Sequence, residues 1–288
     1  MSRRQKSRAG RCNCLPKFLT CTSQELGLDP ITPLNIDNLR DSLTGKIVGS
    51  AFHYHESLSS TMDETRRLAL DGAAEGTVAI AEEQTKGRGR FSRVWVSPPG
   101  LNLTFSVLFR PEIAQLPYIN MAAALAVCDV VNDLTDETAS IKWPNDVRIG
   151  GKKLSGVLVE TDLVGRELNH AVVGIGVNVN LDPSQHPEIA EIATSILAHS
   201  GHEVDRSDAL RRLLTHVDRY YADIRNGASL KDLWASKLET LGKTIEVRWV
   251  DDVIEGFAES VDEQGNLLLR KADGDLMTVV AGEVTLQV

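Results

Sequence analysis

Cysteine is scarce in this sequence: four residues in 288, at positions 12, 14, 21 and 128. Their spacing makes neither a disulfide framework nor a four-ligand zinc site. Cys12-x-Cys14 is close enough to share a metal, but in its basic surroundings it reads as incidental thiols on a tail. Long hydrophobic runs are also missing. None has the length expected of a membrane span, and no apolar signal-peptide core follows the basic N-terminus. A reducing cytoplasm with no membrane partner is the expectation. Positive charge is in short supply overall, with 31 Lys and Arg against 40 Asp and Glu and a formal net charge of -9. That balance argues against non-specific nucleic-acid binding by the whole chain.

Familiar signatures are absent too. Nothing fits the phosphate-binding P-loop. Gly87-x-Gly89 and Gly174-x-Gly176 each begin a dinucleotide fingerprint, but Ser92 and Val179 stand where the third Gly belongs. There is no H-E-x-x-H, no EF-hand loop and no G-x-S-x-G. His53 and His55 could share a strand face as metal ligands; flanked by Phe52 and Tyr54, they read as ordinary strand residues. No internal repeat and no low-complexity tract interrupts the chain.

What is present is a globular composition, 42% apolar and 25% charged, long enough for one large domain and one small one. Arg3, Arg4, Lys6, Arg8, Arg11 and Lys17 all precede the first acid, Glu25. Residues 1–33 are therefore expected to form a disordered basic extension; a targeting peptide or an over-long start would look the same. Thr61 and Glu64 have capping-box spacing, which sets Ser60 and Thr61 at the opening of a short helix. Strands are expected over 77–82 and 101–109, then a buried Ala-rich helix over 118–134. A short strand ends at Trp143, and 154–161 and 171–180 read as neighbouring strands. Helices follow over 188–199, 207–225 and 229–241, the last two ending at Gly227 and Gly242. Four short strands over 245–280, separated by turn clusters, predict a small barrel. The expected domains are thus 34–241 and 242–288.

Three stretches carry unusual chemistry. Gly87-Arg88-Gly89-Arg90 offers bare backbone N–H groups, positive-φ freedom and two forked donors, a combination suited to an anion. A solvated basic loop or an Arg-Gly contact segment for RNA is the plain alternative, and no aromatic stacking groove accompanies it. Lys142-Trp143-Pro144-Asn145-Asp146 gathers an aromatic, an amide and a carboxylate at a strand end, where Asn145 and Asp146 could take up a ribose, a base or hydrated Mg²⁺. A Gly-Gly turn then leads to Lys153, and Gly156 permits close approach. Finally, Gly174 and Gly176 within a strand suggest close approach of a ligand, or crowded packing of the sheet against a helix, with Asn178 and Asn180 expected on one face. Together these describe a cleft of fixed cations, bare backbone and amides, a site fit for activating a carboxylic acid with a nucleotide.

The ordered set Ser60-Thr61, Gln84, Gly87-Arg88-Gly89-Arg90, Trp95-x-Ser97-Pro98, Lys142-Trp143-Pro144-Asn145-Asp146, Lys153-Leu154-x-Gly156 and Gly174-x-Gly176-x-Asn178 resembles the biotin protein ligases over residues 45–288. The resemblance implies a mixed α/β sheet flanked by helices, akin to class II aminoacyl-tRNA synthetases, followed by a small SH3-like β-barrel. It implies that biotin and ATP, with Mg²⁺, form biotinyl-adenylate, and that biotin passes to a lysine of a biotin carboxyl carrier protein of acetyl-CoA carboxylase or another biotin-dependent carboxylase. By the same resemblance Lys153 and then Arg88 are the catalytic cations. Ser60, Thr61, Met62, Gln84, Gly87, Arg88, Gly89, Arg90, Lys153 and Gly156 would bind biotin and its adenylate. Trp95, Lys142, Trp143, Asn145, Asp146 and Asn178 would bind the nucleotide, with Asp146 a possible metal contact and no fixed metal site.

Two positions depart from the family pattern: Met62 stands where Asn is usual, and Ser92 where Gly is common. No helix-turn-helix pattern precedes the catalytic region, so a ligase without a DNA-binding domain is expected rather than a biotin-responsive repressor. Lipoate or octanoate ligation is the nearest enzymatic alternative, and the family permits a homodimer through a sheet edge.

Overall fold

The computed structural model describes residues 32–249, 252–280 and 282–286. The chain divides into compact units Met1–Thr32 and Pro33–Val288. The predicted basic extension, with Cys12, Cys14 and Cys21, lies outside the described residues apart from its last two positions. All that follows concerns the second unit.

A seven-stranded mixed sheet organises this unit, in the order β1-β2-β3-β7-β6-β5-β4. β1 (Ala51–Leu58) and β2 (Thr77–Gln84) are parallel, joined through helix α2 (Thr61–Leu70), as a crossover requires. A short helix α1 (Ile36–Ser42) precedes them. β3 (Leu103–Phe109), β4 (Ser140–Lys142), β5 (Asp146–Ile149), β6 (Lys152–Val164) and β7 (Glu167–Val177) pair antiparallel. β5 turns into β6 through Gly150 and Gly151, whose φ of +56° and +80° give the left-handed pair a two-residue hairpin demands.

β7 shows how the sheet separates core from cleft. Val173, Ile175 and Val177 join the hydrophobic core, while Gly174 and Gly176 turn to the opposite face. The core face is covered by α3 (Leu116–Leu134), which packs on α5 (Arg206–Arg225). The segment Ile113–Leu134 is long and apolar enough to cross a membrane, contrary to the sequence expectation, and 56% of its most apolar window is buried inside the protein. It is a core helix.

Short helices α4 (Ile196–Ser200) and α6 (Lys231–Lys237) complete the layer. A five-stranded antiparallel sheet follows, ordered β11-β10-β9-β8-β12, and fits the expected small barrel. Its strands are β8 (Thr244–Trp249), β9 (Asp252–Val261), β10 (Leu267–Arg270), β11 (Leu276–Val279) and β12 (Glu283–Leu286). The last was not foreseen. Trp143 Nε1 donates to Gly265 O at 2.9 Å and so ties the two sheets together.

Three local expectations are corrected. Thr61 forms no capping box: the N-cap is Ser60, without a side-chain cap bond, and the Thr61 hydroxyl is drawn to Gln84 and Ser106 instead. Residues 188–195 are not helical. Lys153 N donates to Ile192 O and Thr194 N donates to Lys153 O, so this segment gives its backbone groups to the start of β6. Gly242 does not cap α6, which ends at Lys237 with Leu238 as its C-cap; the Gly242 N–H donates to Ala258 O and leads into the second sheet.

Candidate functional site

The register of the sheet builds the floor of the site. Ser106 on β3 lies opposite Gly174 on β7, and Thr104 lies opposite Gly176. Gly176 in turn faces Gly156 on β6, and Gly156 faces Asp146 on β5. Cross-strand partners share a face, so a row of small residues ending in a carboxylate crosses four strands. The missing side chains leave a trough. A cavity of about 400 Å³ occupies it, lined among others by Thr104, Gly156, Gly174, Gly176 and Asp146.

One end of the cavity gathers uncharged side chains, with Arg88 at its edge. The N-terminus of α2 brings Ser60, Thr61 and Met62 there, and the end of β2 brings Gln84. Gln84 Oε1 accepts from Thr61 N at 2.7 Å and from Thr61 Oγ1 at 3.1 Å; Thr61 Oγ1 and Ser106 Oγ share a further bond of 2.8 Å. Met62 lies over Gly174, where an added Cβ would stand 2.9 Å from its sulfur. The departure at residue 62 thus sets a thioether in the wall of the cavity.

The other end is charged. Lys153 Nζ lies 2.7 Å from Asp146 Oδ1 and 5.7 Å from the centre of the Trp95 ring. The Trp95 indole rests on Gly176; a Cβ there would come within 2.8 Å of Nε1. That Nε1 is buried and has no hydrogen-bond partner among the described residues. Asn145 accepts from Arg90 at 3.3 Å through Oδ1 and donates to Val157 O. Burial depresses the pKa of Arg90 and of Lys142, with nearby Asp146 opposing both shifts. Trp143 lines the cavity but is buried and spends its N–H on Gly265. The Asn178 and Asn180 amides anchor Thr194 O and Val204 O, beyond the end of β7. Among the described residues no cluster of three or more His, Cys, Asp or Glu could cage a metal.

The glycine- and arginine-rich loop closes on itself through Trp95 N to Gly87 O at 3.0 Å and Gly89 N to Arg93 O at 2.7 Å. Its glycines do not supply the positive φ that was expected. That conformation falls on Phe91, at φ +53°. Gly87 is required for a different reason: a Cβ would stand 2.7 Å from Trp95 O. Arg88 makes a two-pronged contact with Asp63, at 2.9 and 2.7 Å, and reaches Glu160 at 3.4 Å. Asp63 holds Arg88 firmly protonated, and Arg88 in return lowers the Asp63 pKa below its usual value. Arg93 pairs with Glu283 on β12.

Apart from Gly87, the sequence-nominated site residues all line this one cavity. Sequence reasoning missed Phe91, Val94, Ile189, Ile192 and Glu283, which line it as well. The isoleucines lie in the segment read as helix, and Glu283 in the strand that was not foreseen.

Residues 54–178 match the family model described as the biotin/lipoate A/B protein ligase family, and residues 240–286 match the biotin protein ligase C-terminal domain. The bifunctional ligase/repressor BirA of Bacillus subtilis is 35% identical over 246 residues, spanning 84% of this chain and 76% of that protein. The chain belongs to the biotin protein ligase family. The biotin–[acetyl-CoA-carboxylase] ligase of Paracoccus denitrificans is 32% identical over 75% of this chain and 92% of its own length. Among solved structures, the biotin protein ligase of Aquifex aeolicus in complex with biotin and ATP superposes with a TM-score of 0.69 at 31% identity, covering 83% of this chain and 99% of that one.

Proposed function

We propose that this biotin protein ligase activates biotin with ATP inside the cavity and passes it to a lysine of a carboxylase carrier domain. The observation that carries the reading is the polarity of the cavity along its glycine floor. Uncharged hydrogen-bonding groups on Ser60, Thr61 and Gln84 at one end suit the ring of biotin, and the cations Lys153, Arg90 and Lys142 at the other suit phosphate.

Chemically, the biotin carboxylate attacks the α-phosphorus of ATP, forming an acyl–phosphate bond as the bond to pyrophosphate breaks. Two anions must approach, which costs about 4 kcal/mol at ~4 Å and an effective dielectric of about 20. Lys153, steered by Asp146, offsets that cost and stabilises the charge developing on the phosphate. With Arg88 held by Asp63 and Glu160, Arg90 is the second cation we assign to the phosphate, with Asn145 orienting it. Gly156 and Gly176 allow the acyl phosphate to lie close to the strands, beside Trp95. Mg²⁺ enters with the ATP phosphates rather than at a resident site, since Asp146 is engaged by Lys153. The loop then excludes water from the mixed anhydride until the carrier amine attacks its acyl carbon and AMP leaves.

The test is transfer. The full chain is incubated with ATP, biotin and the carrier domain of an acetyl-CoA carboxylase, and the carrier is mapped by peptide mass spectrometry. Biotin on a single lysine supports the reading. An unmodified carrier, or lipoate or octanoate accepted in place of biotin, contradicts it.

A further inference from the structure

Lys153 and Gly156 both line the cavity, although they stand three residues apart on β6. Regular alternation forbids this, because residues an odd number apart point to opposite faces of a sheet. The pairing of β6 explains it. The Gly150-Gly151 turn sets Ile149 opposite Lys152 and Arg148 opposite Lys153. On the other side, β7 sets Val177 opposite Ser155 and Gly176 opposite Gly156. These two registers differ by one residue. The ladder between β5 and β6 shifts between Val147 and Arg148, and Leu154 is the residue left over. An extra residue of this kind is a β-bulge, a feature that re-aims side chains beside active sites. Leu154 and Ser155 are both buried, and neither lines the cavity. Leu154 joins the hydrophobic core, and its carbonyl accepts from Asn178 N at 3.0 Å. Ser155 Oγ donates to Gly176 O at 2.6 Å. The order along the strand is therefore cavity, core, core, cavity. Lys153 folds back over Gly156, where an added Cβ would stand 3.2 Å from its Cε and Nζ, and so reaches Asp146.

We infer that Leu154 and Ser155 are positioning residues for the activation step: the bulge they form aims Lys153 into the cavity, and its bonds to β7 and Asn178 hold the ammonium over Gly156. Without the bulge one register would have to give way. A ladder continued from the turn would bring Ser155 to the cavity and send Gly156 to the core face. A ladder continued from β7 would bring Leu154 to the cavity and drive the Lys153 ammonium into the core, where an unpaired charge is not tolerated. The kinetic part of the inference rests on the ligase reading; the aim of the lysine does not.

Cysteine labelling reads the aim directly. Lys153→Cys, Leu154→Cys and Ser155→Cys are made separately in the full chain, treated with iodoacetamide and mapped by peptide mass spectrometry. Position 153 alone should react promptly, with 154 and 155 protected until denaturant is added. A ladder regular from the turn would expose 155, and one regular from β7 would expose 154 and protect 153; either pattern overturns the inference. Ser155→Cys exchanges a single atom, so that arm survives if Leu154→Cys fails to fold. A double-mutant cycle reads the consequence. Ser155→Ala should lower the kcat of ATP–pyrophosphate exchange with biotin roughly tenfold, with KM values for biotin and ATP changed less than about twofold. In the Lys153→Ala background the same substitution should change the rate less than about twofold, because no ammonium is left to aim. An equal loss in both backgrounds, or no loss in either, overturns the positioning role. Exchange absent from the wild type, with 153 alone labelled, would instead discard the ligase reading and leave the aim of the lysine standing.

Discussion

The Lys153 ammonium stands 2.7 Å from the Asp146 carboxylate, across a hairpin whose turn is Gly150-Gly151. Asp146 steers the ammonium, and its register partner Gly156 leaves room beside it. Replacing Lys153 with Ala should slow adenylate formation at least about a hundredfold, the scale of losing one charge-stabilising donor, while far-UV circular dichroism stays unchanged. Asp146→Asn should cost less, since the ammonium survives. Equal rates for wild type and Lys153→Ala would remove this residue from the mechanism.

The two floor glycines should respond differently to the same substitution. At Gly174 an added methyl meets the flexible end of Met62, which can shift. At Gly176 it meets the Trp95 indole, a flat ring already seated against the strand. Gly176→Ala is expected to displace Trp95, destabilise the fold by about 1–3 kcal/mol and raise the KM for ATP more than Gly174→Ala does. Thermal melts and steady-state kinetics on both variants check this; a harsher Gly174→Ala would contradict it.

Much of this site was legible in the sequence, and the reasons differ residue by residue. Glycines inside an alternating strand are conspicuous because they weaken it, so Gly156, Gly174 and Gly176 pointed to close approach before the register showed that they form one trough. Asp63 and Glu160 carried no such signal, because an acid on a first helical turn or a half-exposed strand is ordinary. Ile189, Ile192, Ile196 and Leu197 have helical spacing. Only the tertiary pairing of Lys153 with Ile192 and Thr194 shows why most of that segment does not coil. Thr61 and Glu64 have the spacing of a capping box, and a half-buried Gln84 competes successfully for the hydroxyl.

Breaking a buried ion pair should be strongly destabilising. Arg206 and Glu82 are each about 5% exposed and bonded at 2.6 Å, and Tyr54 donates to the same carboxylate at 2.9 Å. Arg206→Ala strands the Glu82 charge and is expected to cost about 3–5 kcal/mol. Urea denaturation measures it; a loss below about 1 kcal/mol would mean that water reaches Glu82.

Cys128 should be unreactive in the folded protein. Burial pushes its thiol pKa up from 9.0 to about 12. A raised pKa of this kind contributes stability that is intact below pH 9 and fades as the pH climbs towards about 12. Iodoacetamide at pH 8 should leave Cys128 unmodified on peptide mapping until denaturant is added. Prompt labelling of the native protein would contradict the packing of α3.

The central claim is that this cavity activates biotin and not another acid. ATP–pyrophosphate exchange, run on the full chain with biotin, lipoate and octanoate in separate reactions, tests it most directly. The account predicts exchange with biotin alone, lost in Lys153→Ala. Exchange only with lipoate or octanoate would mean that Met62 shapes a pocket for a different acid, and exchange with none of the three would contradict the account.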